Sequence, residues 1–436
     1  MYPLPLVSAV AHGEVALWAV TPFALLLGMI AAMPFINKHF WEHHYAKVSV
    51  ALGIVGIAIY YSSTGNWHRV MHTGLEYISF IALIGSLFVV AGGIHISVKG
   101  EATPLVNVLF LAIGAVLANI IGTTGASMLL IRPWIRMNKY RITAFHIVFF
   151  IFIVSNVGGC LTPIGDPPLF LGYLKSVPFW WTLQHLWQPW LMAVGCVLAV
   201  FAVVDTLNFR KAPKEIRDLE TAEEQWKFDG LHNLGFLAAI LGGVFLPTPW
   251  REVVMVGCAA GSFFTTGKQT HEANDFNFGP IREVAFLFVG IFATMIPALD
   301  WLEHHASDLG LDSPLKFYWI TGVLSSVLDN APTYLTFLAT SVSQQVSVLD
   351  GHKLSVDSLA DMAEYLKLAP HYLVAISLGA VFFGASTYIG NGPNFMVKAI
   401  AEQSKVKTPD FFSYILFYSA PVLLPIFAFV GWLFLR

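Results

Sequence analysis

Charge is scarce in this chain: Asp, Glu, Lys and Arg make up 12% of its 436 residues, while hydrophobic types make up 56%. A soluble domain carries about 25% charged residues, so a water-soluble globular class is excluded. Cysteine is scarcer still. Cys160, Cys196 and Cys258 lie in apolar stretches without metal-ligand spacing; a disulfide framework and a cysteine-based metal centre are therefore excluded, and all three read as small core hydrophobes. No basic block is present, so nothing points to nucleic acid. The first 15 residues contain no Lys or Arg and lack the positive segment of a cleavable signal peptide.

What the chain has in abundance is apolar stretches of membrane length. About 20 such residues cross a hydrocarbon core, and ten crossings are expected, near 16–36, 46–62, 76–97, 142–174, 184–207, 231–248, 251–267, 280–299, 371–403 and 411–435. Two further stretches, 103–135 and 315–343, have arms too short to span. They read as re-entrant hairpins with tips at Asn119 to Gly125 and Leu328 to Thr333. The expected fold is an all-α polytopic membrane protein.

One motif occurs twice. Gly159-Cys-Leu-Thr162-Pro-Ile164-Gly165-Asp166-Pro-Pro168-Leu returns 225 residues later as Gly384-Ala-Ser-Thr387-Tyr-Ile389-Gly390-Asn391-Gly-Pro393-Asn, with five of eleven positions identical. Each copy places Gly, Pro and small polar side chains inside a long apolar crossing. Freed backbone groups are tolerated at bilayer depth only where protein buries them or where they line a cavity, so both crossings are expected to be broken helices. Paired interruptions in corresponding halves point to a secondary transporter with its site at the midplane.

Charge asymmetry supplies the orientation. With 132–141 placed in the cytoplasm, sixteen Lys and Arg fall inside and seven outside, a positive-inside bias. The two hairpins then enter from opposite faces, and the halves are inverted-topology repeats. The expected layout is an N-terminal segment with the first crossing (1–44), a first repeat (45–207), a cytoplasmic linker (208–230), a connecting crossing (231–249) and a second repeat (250–436).

Four elements are expected to converge. The first tip offers Asn119, Thr123, Thr124 and Ser127, and the second offers Asp329, Asn330 and Thr333. The first break offers Ser155, Asn156, Thr162 and Asp166, and the second offers Ser386, Thr387, Asn391 and Asn394. Nearly all present oxygen, which suits a hard alkali cation; sodium is expected at Asp166, Thr123, Thr124, Asp329 and Asn330. A carboxylate near the bilayer centre costs about 2.5–3.5 kcal/mol on insertion scales, and desolvation lets a proton and a cation compete for its oxygens. The plainer reading makes each Asp a helix cap, Asp166 before Pro167 and Asp329 before Ala331. His146, inside the first broken crossing, is the candidate proton relay.

At these motifs the chain resembles the ion transporter superfamily, which includes NhaD-type sodium/proton antiporters, arsenite efflux permeases, and citrate and dicarboxylate transporters. The resemblance rests on Gly122-Thr-Thr-Gly-Ala-Ser127, Ser155 to Leu169, Ser325 to Thr333 and Gly384 to Asn394. It implies a scaffold domain and a transport domain in each protomer, a homodimer, and a multi-pass place in the inner (plasma) membrane. Pro163-Ile-Gly-Asp166 and Leu328-Asp-Asn330 look closest to the antiporter branch, while Gly392-Pro-Asn394 and the neutral second break resemble the citrate branch.

Two transport readings follow. In the first, the chain exchanges sodium for protons; in the second, sodium or protons drive a small carboxylate such as citrate, or an oxyanion such as arsenite. An importer of a multivalent anion is expected to present a cationic side chain, yet only Arg132 and Lys398 lie near the four motifs, which favours antiport. No cofactor is expected beyond sodium or protons as coupling ions, and the partners are the bilayer and a small inorganic cation or carboxylate. An intramembrane aspartyl protease is the enzymatic alternative, since such enzymes pair two carboxylates. Here Pro163 stands where a Gly-x-Gly-Asp pattern needs its first Gly, so no enzymatic activity is expected.

Overall fold

The computed structural model describes residues 15–97, 102–211, 227–274, 276–348 and 351–436. Most of the linker expected at 208–230, much of the N-terminal segment, and Lys99, Lys214 and Arg217 lie outside the described residues. The chain is a polytopic α-helical membrane protein. Seven described helices are long and apolar enough to cross a bilayer: Leu17–Pro34, His39–Thr64, Trp67–Gly92, Pro104–Met137, Trp181–Lys211, Gly279–Leu302 and Phe411–Phe434.

In chain order the helices are α1 (Thr21–Ile36), α2 (Lys38–Thr64), α3 (Trp67–Gly92), α4 (Pro104–Met137), α5 (Ala144–Ile153), α6 (Pro167–Leu174), α7 (Trp181–Lys211), α8 (Asn233–Gly243), α9 (Trp250–Thr265), α10 (Lys268–Ala273) and α11 (Gly279–His305). Then follow α12 (Pro314–Val327), α13 (Asn330–Ser343), α14 (Leu359–Leu368), α15 (Pro370–Phe383), α16 (Gly392–Gln403) and α17 (Phe411–Phe434). The last contains a π-helical stretch, Ile415–Leu423, with Pro421 inside it.

Several boundaries differ from the sequence reading. The loop expected between the second and third crossings shrinks to Gly65 and Asn66, because Gly65 takes a left-handed conformation after α2 and Asn66 accepts the Arg69 N–H to start α3. The crossings expected near 231–248 and 251–267 are the shorter α8 and α9, because the chain turns through Pro247 and Pro249 between them. A small antiparallel strand pair, His95–Ser97 with Lys227–Asp229, interrupts the all-helical pattern. Helix α14 lies where a loop was expected, and it meets α15 at 96°.

The helices pack in two groups. In the first, α2 lies against α11, and α3 packs on α9 and α11. Gly53 and Gly56 of α2 sit against Ala293 and Thr294, and Gly290 against Ser49; small residues let the helix axes approach closely in a bilayer. Phe80 stacks on Phe288 at 4.7 Å between ring centres. The second group gathers α4 to α7 and α12 to α17 around the two breaks, and α3 and α11 touch it through α4, α6 and α13.

Candidate functional site

Helix α4 is two antiparallel arms. Asn107 and Asn138 exchange amide hydrogen bonds of 2.8 and 3.1 Å, Phe110 stacks on Trp134, and Gly114 faces Leu130. The reversal is at Gly122, whose φ of 77° and ψ of 154° suit glycine. A tip at bilayer depth must satisfy its backbone, and here the first break does so. The Thr123 N–H donates to the Gly165 carbonyl at 2.7 Å. Asn119 donates to the Ala115 and Gly158 carbonyls and accepts the Leu161 N–H at 2.7 Å. Thr162 donates to the Asn119 carbonyl at 2.6 Å, and Ser127 bonds Ser155 at 2.7 Å.

The second hairpin and break repeat this pattern. Thr387 donates to the Ser326 carbonyl as Thr162 does to Asn119, and each hydroxyl accepts a glycine N–H three residues on, Gly390 or Gly165, at 3.1 Å. Within each break two glycines press together. A Cβ on Gly165 would lie 2.1 Å from the Gly159 carbonyl oxygen, and one on Gly390 would lie 2.7 Å from that of Gly384. Asn394 closes the second break by donating to the Gly384 and Thr387 carbonyls, and Ser325 donates to the Ala380 carbonyl of α15.

All four elements meet on Asp166. Its Oδ1 accepts the Thr123 hydroxyl at 2.7 Å and the Asn391 amide at 3.0 Å, and its Oδ2 accepts the Asn330 amide at 2.6 Å. One donor thus comes from each of the other three elements. Asn156 adds a cross-link between the breaks, donating to Asn394 Oδ1 at 2.7 Å and accepting from Asn391. Asp166 and Asn391 stand at the N-caps of α6 and α16, Asn330 opens α13, and Thr123 opens the second arm of α4. Helix N-termini carry positive partial charge, so four such ends surround a carboxylate that is 1% exposed. No Lys or Arg is bonded to Asp166 among the described residues.

The capping expectation divides. Asp329 does cap α13, accepting the Ala331 N–H at 3.0 Å. Asp166 makes no side-chain bond to its own helix, because its oxygens are taken across the interface. Of the expected sodium ligands, Asp166, Thr123 and Asn330 come together. Thr124 lines an adjacent cavity between the first tip, Pro163 to Pro167 and α3, and half-buried Asp329 lies within electrostatic reach of Asp166. Thr333 donates to the Asp329 carbonyl. Two buried oxygens, Asn330 Oδ1 and Ser386 Oγ, have no hydrogen-bond partner among the described residues.

His146 is not brought to the site. Its Nδ1 accepts the Thr143 N–H, so the ring proton sits on Nε2 and donates to Asp205 at 3.0 Å. Arg141 and Asn107 complete a buried cluster on Asp205 at the base of the first hairpin. The signal for it in the sequence was Asp205 itself, an acid late in an apolar stretch.

A comparison with curated proteins finds no match to this chain. A family model described as "Putative citrate transport" matches residues 12–435, nearly the whole length, and takes in both hairpins, both breaks and every residue around Asp166. The chain therefore belongs to this transport family.

Proposed function

We propose that the chain is a secondary active transporter that exchanges sodium for protons across the plasma membrane, with Asp166 as the shared coupling carboxylate. The observation that carries this reading is the convergence of four elements on one buried, titratable group that has no cationic partner among the described residues. Proton and cation compete for such a group, and binding either one alters what Thr123, Asn330 and Asn391 can donate to. Asn330, whose amide nitrogen already reaches Asp166, offers its Oδ1 as a further oxygen of the kind a hard cation needs. The two halves act as inverted repeats, the α2, α3, α11 group as scaffold and the hairpin-and-break group as the moving body, in a homodimer.

A second reading, sodium- or proton-coupled transport of citrate, is favoured by the family match and by the four helix N-termini, which attract negative charge. Asp166 already occupies that positive focus, which ranks this reading second. Proteoliposomes with an internal pH dye separate the two. Sodium-triggered proton movement in the absence of any organic anion supports antiport, whereas proton movement that requires citrate supports the second reading and overturns the first.

A further inference from the structure

Near the start of α7, away from the Asp205 cluster toward its end, five charged side chains form one network. Lys175 Nζ lies 2.8 Å from Glu76 Oε1 and 2.5 Å from Asp357 Oδ1. Arg69 bridges Asp300 at 2.8 Å and Asp357 at 3.3 Å. His72 lies 3.5 Å from Glu76, and Tyr60 donates to Asp300 at 3.4 Å. Lys175 is 5% exposed, so its charge is tolerated only because it is paired.

The network joins the two helix groups. Arg69, His72 and Glu76 are on α3, Tyr60 on α2 and Asp300 on α11, all in the first group. Lys175 is the C-cap of α6, and Asp357 lies just before α14, both in the second group. Two pairs therefore cross the boundary: Lys175 with Glu76, and Asp357 with Arg69. The other three, Lys175 with Asp357, Arg69 with Asp300 and His72 with Glu76, stay within a group. Helix α6 carries Asp166 at one end and Lys175 at the other, eight residues long between them. A stiff rod ties the candidate ion site to the boundary contact.

Building on the transport reading, we propose that this network is a latch: it holds the second group against α3 at this end in the state seen here, and it must open each time the second group moves. Such buried charge pairs suit this role better than apolar packing, because the desolvation they suffer while closed offsets much of their attraction, so they part into water at small net cost. Ser176, with a φ of 69°, turns the chain directly after Lys175, and the Val177 N–H closes onto the Gly172 carbonyl. That turn fixes where the end of α6 presents its ammonium group.

The test uses the full-length protein in oriented membrane vesicles, with Cys160, Cys196 and Cys258 replaced and Thr124→Cys as a reporter in the cavity beside the site. Labelling by an impermeant maleimide from each face reports the conformational distribution and does not depend on what is carried. Glu76→Gln leaves Lys175 paired with Asp357, and Arg69 with Asp300, so folding is preserved. It is expected to change the ratio of labelling between the two faces by about threefold or more. A Glu76→Cys and Lys175→Cys pair, joined by a short reducible bis-methanethiosulfonate, is expected to confine labelling to one face until the bridge is reduced. If Glu76→Gln leaves the ratio unchanged, or the joined protein labels from both faces, the network is a static strut and the latch is refuted. Absence of sodium-driven proton flux in the parent protein, with the labelling changes intact, would count against the antiport reading and leave the latch standing.

Discussion

Replacing Asp166 by Asn removes one charge and no atoms. The carboxylate accepts three hydrogen bonds, and the amide can accept only on its oxygen. With that oxygen toward Thr123 and Asn391, the new amide group faces the Asn330 amide nitrogen across the former 2.6 Å contact. Two donors then oppose each other, but Asn330 Oδ1 has no partner among the described residues, so turning over the Asn330 amide restores an acceptor. Bonds to a charged group contribute about 1.5–3 kcal/mol each, against about 1 kcal/mol for neutral ones. The loss of a few kcal/mol over three bonds is offset by relief of the several kcal/mol that burying a charge costs. Asp166→Asn is therefore expected to change stability by less than about 2 kcal/mol and to abolish sodium-dependent proton flux in proteoliposomes. Flux above that of empty liposomes would refute the assignment of Asp166. A collapse in thermal stability would refute the amide rearrangement.

Further outcomes follow from particular contacts. Asn391→Asp places a second carboxylate about a hydrogen bond from Asp166, where like charges cannot both ionise; the pH optimum of transport shifts and sodium affinity rises, and no change in either would show that Asn391 does not line the site. Gly165→Ala drives a Cβ into the Gly159 carbonyl, while Gly392→Ala meets nothing within 4 Å, so the first loses folded protein by fluorescence size exclusion and the second does not. Cysteines at Lys139 and Asp308 are labelled only from opposite faces, and labelling from one face would end the inverted-repeat argument. At Asp357 burial opposes the charged form, yet Lys175 and Arg69 hold its carboxyl below the ordinary range. A depressed group contributes stability above its unfolded value, about 3.9, and loses it as pH falls through the folded value. The melting difference between Asp357→Asn and the parent is thus present above about pH 5 and shrinks in stronger acid.

The hairpins and breaks were legible because Gly and Pro in apolar surroundings have few structural uses. The meeting of Thr123, Asp166, Asn330 and Asn391 was legible for the same reason. What spacing does not reveal is where a side chain points. Asp166 and Asp329 both precede a helix, yet only Asp329 turns back to cap, because the donors drawing Asp166 away come from segments far along the chain. The same blindness hid the partners of Lys175, of which Asp357 is 182 residues distant. Helix α14 escaped notice because its mixed composition, Leu359 to Leu368, resembles a surface loop and its packing is tertiary.

The glycine pairs at 159 and 165 and at 384 and 390 bear on ancestry more than on mechanism. Each pair is a steric lock with a fixed spacing of six, and it is blind to whatever ion or anion passes beside it. Under the proposed transport reading, drift at 166 and 391 can therefore retune cargo while the lock disfavours a side chain at its crowded glycines and any insertion or deletion between them. Related carriers of different specificity should keep this doubled spacing and diverge at the two positions that follow its second glycine.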